Sequence, residues 1–367
     1  MVNNQLTASA PGRICLFGEH QDYLGLAVIT AAIDLRISIS GKIRNDRKIR
    51  LDLPDIGSRE EIDLVSPISY VKERDYFRST LNVLMRQNVV FIKGYDCSVR
   101  GNIPINSGTS SSSALVVAWI KFLLTIAEDK RQDDPLAIAR LAHQAEVLEF
   151  NEPGGMMDHF AASFGSILYI DFSVKGGRQE PLPAKLGYFV LGDSQEPKDT
   201  KGILARVKNG TLDAMKILNN ENKTLKIQTL SHEQLERYKG LISPDQFTLL
   251  KGNITNRVLT VQAKKLLQQE KVDHVKLGEL LNAHQNEARN RLGISTPKID
   301  RMIEAALKAG AVGAKINGSG GGGCMFAYAP ENYEDVADAI ERVGGKSYII
   351  QVGEGATIEL EDNNLIN

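Results

Sequence analysis

The sequence has few cysteines and no long apolar run. Its three cysteines, Cys15, Cys97 and Cys324, lie far apart and show neither a CxxC pair nor metal-ligand spacing, so neither a disulfide framework nor a zinc site is expected. No run approaches the ~20 apolar residues that span a bilayer, and the first residues lack the basic and apolar regions of a secretory signal. These absences predict a protein of the reducing cytoplasm that does not bind a membrane.

An excess of either charge is also missing. The 367 residues include 44 Lys and Arg and 45 Asp and Glu, which gives a formal net charge of −1. Without a basic field the protein is not expected to bind nucleic acid. Any phosphate-binding site must therefore be local, built from backbone and a few side chains. The length is sufficient for two packed domains.

The distribution of apolar residues predicts a mixture of strand runs and helix runs. Predicted strands cover 28–40, 48–53, 90–100 and 166–172, and predicted helices cover 74–86, 114–127, 135–150 and 156–163. The chain is strongly helical from 201 to 308, and it closes with strands around a glycine run and a helix at 332–343. This pattern predicts an α+β fold. The Gly- and Pro-rich stretch 173–185 is the expected boundary between domains 1–180 and 181–367.

The first segment that suggests chemistry is a loop of small polar residues, 107–113, that leads directly into an apolar helix. A helix N-terminus offers unpaired N–H groups and a positive dipole, which suit a phosphate. Serine hydroxyls can donate to phosphate oxygens or bind Mg²⁺. The alternative is a serine-rich helix cap, for which one serine would suffice. The loop is not a Walker A motif, because GxxxxGK[ST] is absent.

A second segment places Glu19, His20 and Asp22 on a glycine-bracketed turn after the apolar stretch 14–17. Each buried hydroxyl of a polyhydroxylated ligand must both donate and accept a hydrogen bond, and this mixed set of groups can serve it. The alternative is an exposed charged turn.

A third segment has glycine in five of the six positions 318–323, between two predicted strands. Glycine costs ordering entropy, so a run this dense indicates close approach of the backbone to a ligand or to another loop. The alternative is a floppy hairpin tip.

Together and in this order, the three segments resemble the motifs of the GHMP kinases, named for galactokinase, homoserine kinase, mevalonate kinase and phosphomevalonate kinase. The matches lie near residues 10–25, 102–118 and 312–326, so the resemblance spans nearly the whole chain. It implies a ribosomal S5 domain-2-like N-terminal domain and a ferredoxin-like C-terminal domain with added helices. It also implies transfer of the γ-phosphoryl group of Mg·ATP to a small metabolite.

Within the family, the chain is most similar to galactokinases. Residues 18–23 read Gly-Glu-His-Gln-Asp-Tyr, similar to their Gly-Glu-His-Thr-Asp-Tyr, and residues 153–158 read Pro-Gly-Gly-Met-Met-Asp, similar to their Pro-Cys-Gly-Ile-Met-Asp. Mevalonate kinases lack the aspartate that follows Gly-Glu-His. Cys15 and His159 stand where galactokinases usually have asparagine and glutamine. The resemblance implies phosphorylation of an aldose at its anomeric hydroxyl; a mevalonate-type kinase and a non-catalytic sensor remain alternatives.

The resemblance also implies roles for individual residues. Asp158 is expected to accept the proton of the attacking hydroxyl, while Arg13 keeps that carboxylate ionised and offsets charge on the transferred group. Ser112 and Glu146 are the expected Mg²⁺ ligands, although Glu146 could instead be a surface residue. The expected substrate contacts are Glu19, His20, Asp22 and Gly155, with a structural histidine as the alternative for His20. The expected nucleotide contacts are Ser107, Gly108, Thr109, Ser110, Ser111, Ser112, Ser113, Gly318, Gly320 and Gly321.

The ligands expected from this assignment are ATP, Mg²⁺ and a small-molecule sugar. The expected assembly is a monomer or a homodimer.

Overall fold

The computed structural model describes residues 5–104, 108–152, 154–197 and 200–361. The strands in these ranges are β1 (Gln5–Phe17), β2 (Val28–Ile43), β3 (Lys48–Leu53), β4 (Ser58–Asp63), β5 (Tyr95–Gly101), β6 (Ile167–Asp171), β7 (Arg178–Leu182), β8 (Phe189–Asp193), β9 (Gly313–Ile316), β10 (Cys324–Tyr328), β11 (Lys346–Ile350) and β12 (Thr357–Glu361). The helices are α1 (Tyr76–Arg86), α2 (Ser111–Ile126), α3 (Pro135–His143), α4 (Met157–Phe164), α5 (Thr200–Glu221), α6 (His232–Glu236), α7 (Pro244–Leu267), α8 (His274–Asn290), α9 (Pro297–Lys308) and α10 (Tyr333–Arg342).

The first sheet is built around the long strand β2. Its strand order is β12-β1-β2-β5-β3-β4, and β6 pairs with the beginning of β2 and with β7. Neighbouring strands run antiparallel except for the parallel pair β3 and β5. Helices α1 to α4 cover one face, and the apolar helix α2 lies at the centre of their core, with Trp119 and Phe122 stacked on each other.

The second sheet has the order β11-β8-β10-β9 and is antiparallel throughout. Both of its faces are covered, which is why all five residues of β10 are buried. Phe326 and Tyr328 pack toward the first sheet together with α7 and α8. Met325 and Ala327, on the opposite face, pack against α9 and α10. The alternation follows the two-residue period of a strand.

An irregularity in the pairing of β1 with β2 marks a change in which β1 side chains point toward the helical layer. The register with β2 shifts between Pro11 and Arg13. Before the shift, Ala8 and Ala10 belong to the core formed with α1 to α4. After it, Cys15 packs against α3 and α4, while Ile14 faces the core between the sheets. The faces of β1 are thus reversed across this irregularity, and Arg13 reaches Asp158 at the start of α4.

The predicted α+β class is confirmed, and several predicted boundaries are corrected. The strand predicted at 90–100 begins only at Tyr95, and the helix predicted at 135–150 is α3 followed by a π-helical turn at 144–148. The domain boundary after residue 180 remains a prediction; β7 crosses it, and β12 joins the first sheet. Among the described helices, none combines the length and the apolar character required to span a bilayer.

Candidate active site

A cleft of about 1130 Å³ is lined by residues from both halves of the chain. The predicted site residues that line it are Arg13, Glu19, His20, Asp22, Gly108, Ser110, Ser111, Ser112, Ser113, Glu146, Gly155, Asp158 and Gly318. Thr109, Gly320 and Gly321 are not among the residues that line it. Ser107 lies outside the described residues. The structure therefore brings most of the predicted set to one concave surface.

Asp158 lies in the first turn of α4 and is held by two donors. Arg13 Nε donates to one carboxylate oxygen at 2.7 Å, and the Ser110 hydroxyl donates to the other at 2.6 Å. Burial on its own would raise the pKa of Asp158, but the charge of Arg13 and these hydrogen bonds outweigh it and hold the pKa below its ordinary value. The carboxylate is therefore ionised, and its side chain remains 29% exposed toward the cleft.

Ser110 reaches Asp158 because it adopts an unusual backbone conformation. It is the N-cap of α2, yet its φ of 61° is left-handed and its side chain does not cap the helix. A non-glycine residue in this region of backbone conformation is strained. The conformation therefore indicates that Ser110 makes a favourable interaction other than helix capping. The freed hydroxyl bonds to Asp158, and the first N–H groups of α2 are left for another acceptor.

Glu146 occupies the π-helical turn that follows α3. His159 Nε2 donates to its carboxylate at 2.8 Å, and the hydroxyls of Ser112 and Ser113 are near enough to favour its ionised form. Burial would raise the pKa of Glu146, but the hydrogen bond and charge of His159 and the two hydroxyls hold the pKa below its ordinary value.

Glu146 and Ser112 together form a pair of hard oxygen donors. Such donors suit Mg²⁺, which usually takes one or two protein ligands and completes its shell with water and phosphate oxygens. No cluster of three or more His, Cys, Asp or Glu side chains suited to a metal occurs in the described ranges. The donor set therefore fits a metal carried by a phosphate ligand better than an all-protein metal site.

Asp22 and Gly155 contact each other at the cleft wall. A Cβ atom on Gly155 would lie 1.7 Å from Asp22 Oδ2, so any larger residue at 155 would displace that carboxylate. Asp22 Oδ1 accepts from the backbone N–H of Tyr23 at 2.8 Å. Burial raises the pKa of Asp22 to about 6. The hydrogen bond from Tyr23 opposes this increase, and the negative charge of Asp158 adds to it.

His20 joins two loops of the site. Its Nε2 lies 3.0 Å from the carbonyl oxygen of Ser319, which can only accept, so this nitrogen carries a proton. Its Nδ1 lies 2.6 Å from the hydroxyl of Tyr23 and accepts from it in the neutral tautomer. Both ring nitrogens thus contact protein atoms, which supports the structural alternative for His20.

Glu19 points into the protein rather than across the cleft. Only 2% of its side chain is exposed, and Oε1 forms an ion pair with the fully buried Lys315. Its Oε2 lies 3.7 Å from Nδ1 of His284, whose Nε2 accepts from the backbone N–H of Gly18 at 3.1 Å. Burial first, and then the charge of Lys315, hold the pKa of His284 well below its ordinary value.

The glycine run owes its composition to backbone geometry. Gly318, Gly320, Gly321, Gly322 and Gly323 all have positive φ. A Cβ atom on Gly320 would lie 2.5 Å from Cβ of Ile294, and the N–H of Gly321 donates to the Ile294 carbonyl at 2.8 Å. The loop is therefore a defined turn packed on the segment before α9.

Four partners of the predicted residues escaped sequence analysis: Lys315, His284, Asn317 and Tyr23. Lys315, His284 and Asn317 each contact a residue that is distant along the chain. Tyr23 contacts His20 through its ring hydroxyl. Tyr23 lay inside the galactokinase-like segment, and Lys315 and Asn317 lay beside the glycine run. For these three residues, the position within or beside a motif was the sequence signal that could have indicated a role in the site.

Three family profiles match the chain. They are the GHMP kinases N terminal domain at residues 75–166, the GHMP kinases C terminal domain at 263–349, and the galactokinase galactose-binding signature at 2–42. A mevalonate kinase of Pyrococcus horikoshii is 30% identical over 365 residues, which cover 96% of this chain and 97% of the relative. A galactokinase of Actinobacillus succinogenes is 26% identical over 361 residues, which cover 95% of this chain and 90% of the relative.

The solved structures add a comparison of folds. The crystal structure of Lactococcus lactis galactokinase complexed with galactose matches with a TM-score of 0.84 and 25% identity, over 96% of this chain and 95% of the other. Relatives of two substrate types thus align along nearly their whole length. The chain has the two-domain GHMP kinase fold, and it belongs to the GHMP kinase family of ATP-dependent phosphotransferases.

Proposed function

We propose that the protein is a galactokinase-like sugar kinase that transfers the γ-phosphoryl group of ATP to the anomeric hydroxyl of an aldose. The observation that carries the proposal is the charge pattern of the cleft. Among the described lining residues, the only Lys or Arg side chains are Arg13 and Arg74. Arg13 pairs with Asp158 and Arg74 with Glu152, at 2.7 and 2.9 Å. This lining suits a neutral polyol better than a substrate that carries a carboxylate.

Asp22 is the group best placed to bind such a polyol. Its carboxylate can accept hydrogen bonds from two adjacent hydroxyls. The negative charge of Asp158 is near enough to raise the pKa of Asp22. A carboxylate substrate would meet repulsion from both groups. The match to the galactose-binding signature at residues 2–42, which includes Asp22, further supports a sugar.

Phosphoryl transfer depends mainly on position and charge. In the proposed reaction the sugar hydroxyl donates to Asp158, which takes up the proton as the new O–P bond forms and the bond to ADP breaks. Arg13 and Ser110 keep the carboxylate ionised and oriented until then. The N-terminus of α2 would bind the phosphates of ATP. Ser112 and Glu146 would hold Mg²⁺, which would neutralise charge on those phosphates.

A mevalonate-type kinase is the second candidate, and one observation favours it. The Pyrococcus horikoshii mevalonate kinase has the higher sequence identity of the two relatives, at 30% against 26%. Mevalonate carries a carboxylate, so this reading requires a cation in the cleft that is not already paired.

A substrate panel with coupled ADP detection separates the two candidates. The panel contains galactose, N-acetylgalactosamine, arabinose, glucuronate and mevalonate. We expect phosphorylation of at least one aldose and none of mevalonate. Turnover of mevalonate with every sugar inert would refute the sugar proposal and leave the family assignment intact.

The metal site yields a prediction about the divalent cation. Activity is expected to require Mg²⁺ or Mn²⁺, and Ser112→Ala is expected to raise the Mg²⁺ concentration for half-maximal rate by about threefold or more, before it alters the sugar KM. Ser111→Ala is the comparison: Ser111 is a predicted nucleotide contact that also lines the cleft, and the described hydrogen bonds include none from it to Glu146, so its substitution should raise the ATP KM more than the Mg²⁺ requirement. Initial rates across a Mg²⁺ titration measure the shift. Full activity in excess EDTA would refute the kinase assignment itself.

Asp22 yields a prediction about substrate affinity. Asp22→Ala is expected to raise the sugar KM by about tenfold or more, because a site built to bond a hydroxyl loses a buried partner, while the ATP KM changes little. Removal of the sugar hydroxyl that Asp22 contacts should mimic the substitution. The two losses should not add, since both remove one interaction.

The raised pKa of Asp22 gives a check by pH. Below about pH 6 the carboxyl is protonated and loses acceptor capacity, so kcat/KM for the sugar should fall as the pH decreases through about 6. Asp22→Asn cannot titrate and should lack this inflection. An unchanged profile in the asparagine variant would assign the inflection to another group.

A further inference from the structure

Asn317 is a fully buried amide that connects three segments of the site. It follows β9, and its Oδ1 accepts from the backbone N–H of Cys15 on β1 at 2.9 Å. Its Nδ2 donates to the carbonyl of Gly108 in the loop before α2 at 3.0 Å. Asn317 does not line the cleft, so any effect on the reaction must pass through these two neighbours.

The orientation of the amide follows from its partners. A backbone N–H can only donate and a carbonyl can only accept, so the oxygen of Asn317 must face Cys15 and the nitrogen must face Gly108. An aspartate could not serve the carbonyl, and an aliphatic residue could serve neither partner. The Cys15 N–H is buried and the Gly108 carbonyl is partly buried, so leaving either one unsatisfied is costly.

Gly108 connects this amide to Arg13. The Gly108 carbonyl accepts from Asn317 Nδ2 and also from Arg13 Nη1 at 2.5 Å, which occupies both of its lone pairs. The backbone N–H of Arg13 donates to the carbonyl of Thr109 at 3.1 Å. Hydrogen bonds therefore join the loop, Arg13 and Asn317, and Arg13 in turn donates to Asp158 in the cleft.

Asn317 also bonds the backbone of β1 at Cys15, which stays in register with Thr30 of β2. The register between β1 and β2 shifts again between Cys15 and Phe17. Lys315 Nζ donates to the Cys15 carbonyl at 3.1 Å while Asn317 accepts from its N–H. Side chains from the end of β9 thus hold both backbone polar groups of Cys15, two residues beyond Arg13.

We infer that Asn317 is a positioning residue for phosphoryl transfer, which acts by holding the Gly108 carbonyl and, through it, the guanidinium of Arg13 against Asp158. The inference rests on the proposed roles of Arg13 and Asp158 but not on the identity of the acceptor. A displacement of about 1 Å in a reacting group can cost on the order of 10²-fold in rate. A loosened Gly108 carbonyl permits a displacement of this kind.

The test compares kcat and KM in Asn317→Ala. We expect kcat to fall by about tenfold or more, with the sugar KM changed by less than about threefold, because Asp22 is held by other contacts. Asn282→Ala is the matched control. Asn282 is an amide that bonds the other end of β9, through Ala314 N at 3.0 Å and Val312 O at 3.4 Å. It should lower the melting temperature without lowering kcat.

A second arm asks whether Asn317 acts through Arg13. In an Arg13→Gln background the guanidinium is gone, so the further loss from Asn317→Ala should shrink to about twofold or less. An equal fold-loss in both backgrounds, or no loss of kcat in the single variant, would overturn the inference. If Asn317→Ala does not fold, Asn317→Ser replaces it, since a hydroxyl can serve one of the two partners. The loss of kcat from Asn317→Ser is then compared between the unmodified and the Arg13→Gln backgrounds, with the same criteria.

Phosphoryl transfer is followed with whichever acceptor the substrate panel identifies. Rejection of every sugar would refute the sugar proposal, yet the comparison of backgrounds could still be made with mevalonate. Failure of the two proposals is therefore distinguishable.

Discussion

Asp158→Asn is expected to lower kcat by on the order of 10²-fold or more while ATP still binds. The amide retains one acceptor for Arg13, but it can neither take up the proton of the attacking hydroxyl nor supply the negative charge that Arg13 now balances. Single-turnover rates and ATP affinity, measured on the same preparation, separate chemistry from binding.

Asp193→Asn is the control for Asp158. Asp193 also lines the cleft, at the end of β8, and its Oδ1 accepts from the backbone N–H of Gln195 at 2.8 Å. It has no contact with Arg13 among the described hydrogen bonds, so its substitution should reduce kcat much less. Turnover near that of the unmodified protein in Asp158→Asn would remove Asp158 from the catalytic role.

Lys315→Met is expected to lower the free energy of unfolding by about 3–5 kcal/mol, since it leaves a buried carboxylate without its partner. The ammonium of Lys315 has three acceptors: Glu19, the Cys15 carbonyl and the Ile316 carbonyl. They use all three of its donor hydrogens. Urea unfolding followed by circular dichroism measures the loss.

Lys276→Met provides the contrast for Lys315. Lys276 pairs with Glu279 at 2.7 Å, but both side chains are more than half exposed, and exposed pairs contribute about 0–1 kcal/mol. A second variant, Glu19→Gln combined with Lys315→Met, removes the orphaned charge and should recover part of the loss. Equal destabilisation by Lys315→Met and Lys276→Met would contradict a buried ion pair at Lys315.

Local sequence pattern predicted the elements that bury their own apolar residues. The apolar run of α2 and the β-branched run of β2 were both predicted within a few residues of their observed bounds. Strand β4 was missed because its sequence, SREEID, is charged and it lies at the edge of the sheet. Its strand character comes from pairing with β3, a tertiary effect that propensity does not capture.

The candidate site likewise contains residues that local sequence predicted and residues that it did not. Arg13, Asp158 and Asp22 could be named from short motifs, because the chemistry and the spacing are local. The ion pair of Lys315 with Glu19 and the amide bridge of Asn317 could not, because each joins residues about 200 to 300 positions apart. Only the packing of the second sheet against β1 brings them together.

The pairing of β12 with β1 has a consequence for synthesis of the chain. Residues 5–9 emerge from the ribosome long before their partners at 357–361. Until then one edge of the strand that carries Arg13 has no neighbour, and an open strand edge invites pairing with other chains. Even after residue 180 has emerged, the first sheet still lacks this strand, so the sheet is completed only after the second half of the chain has been made.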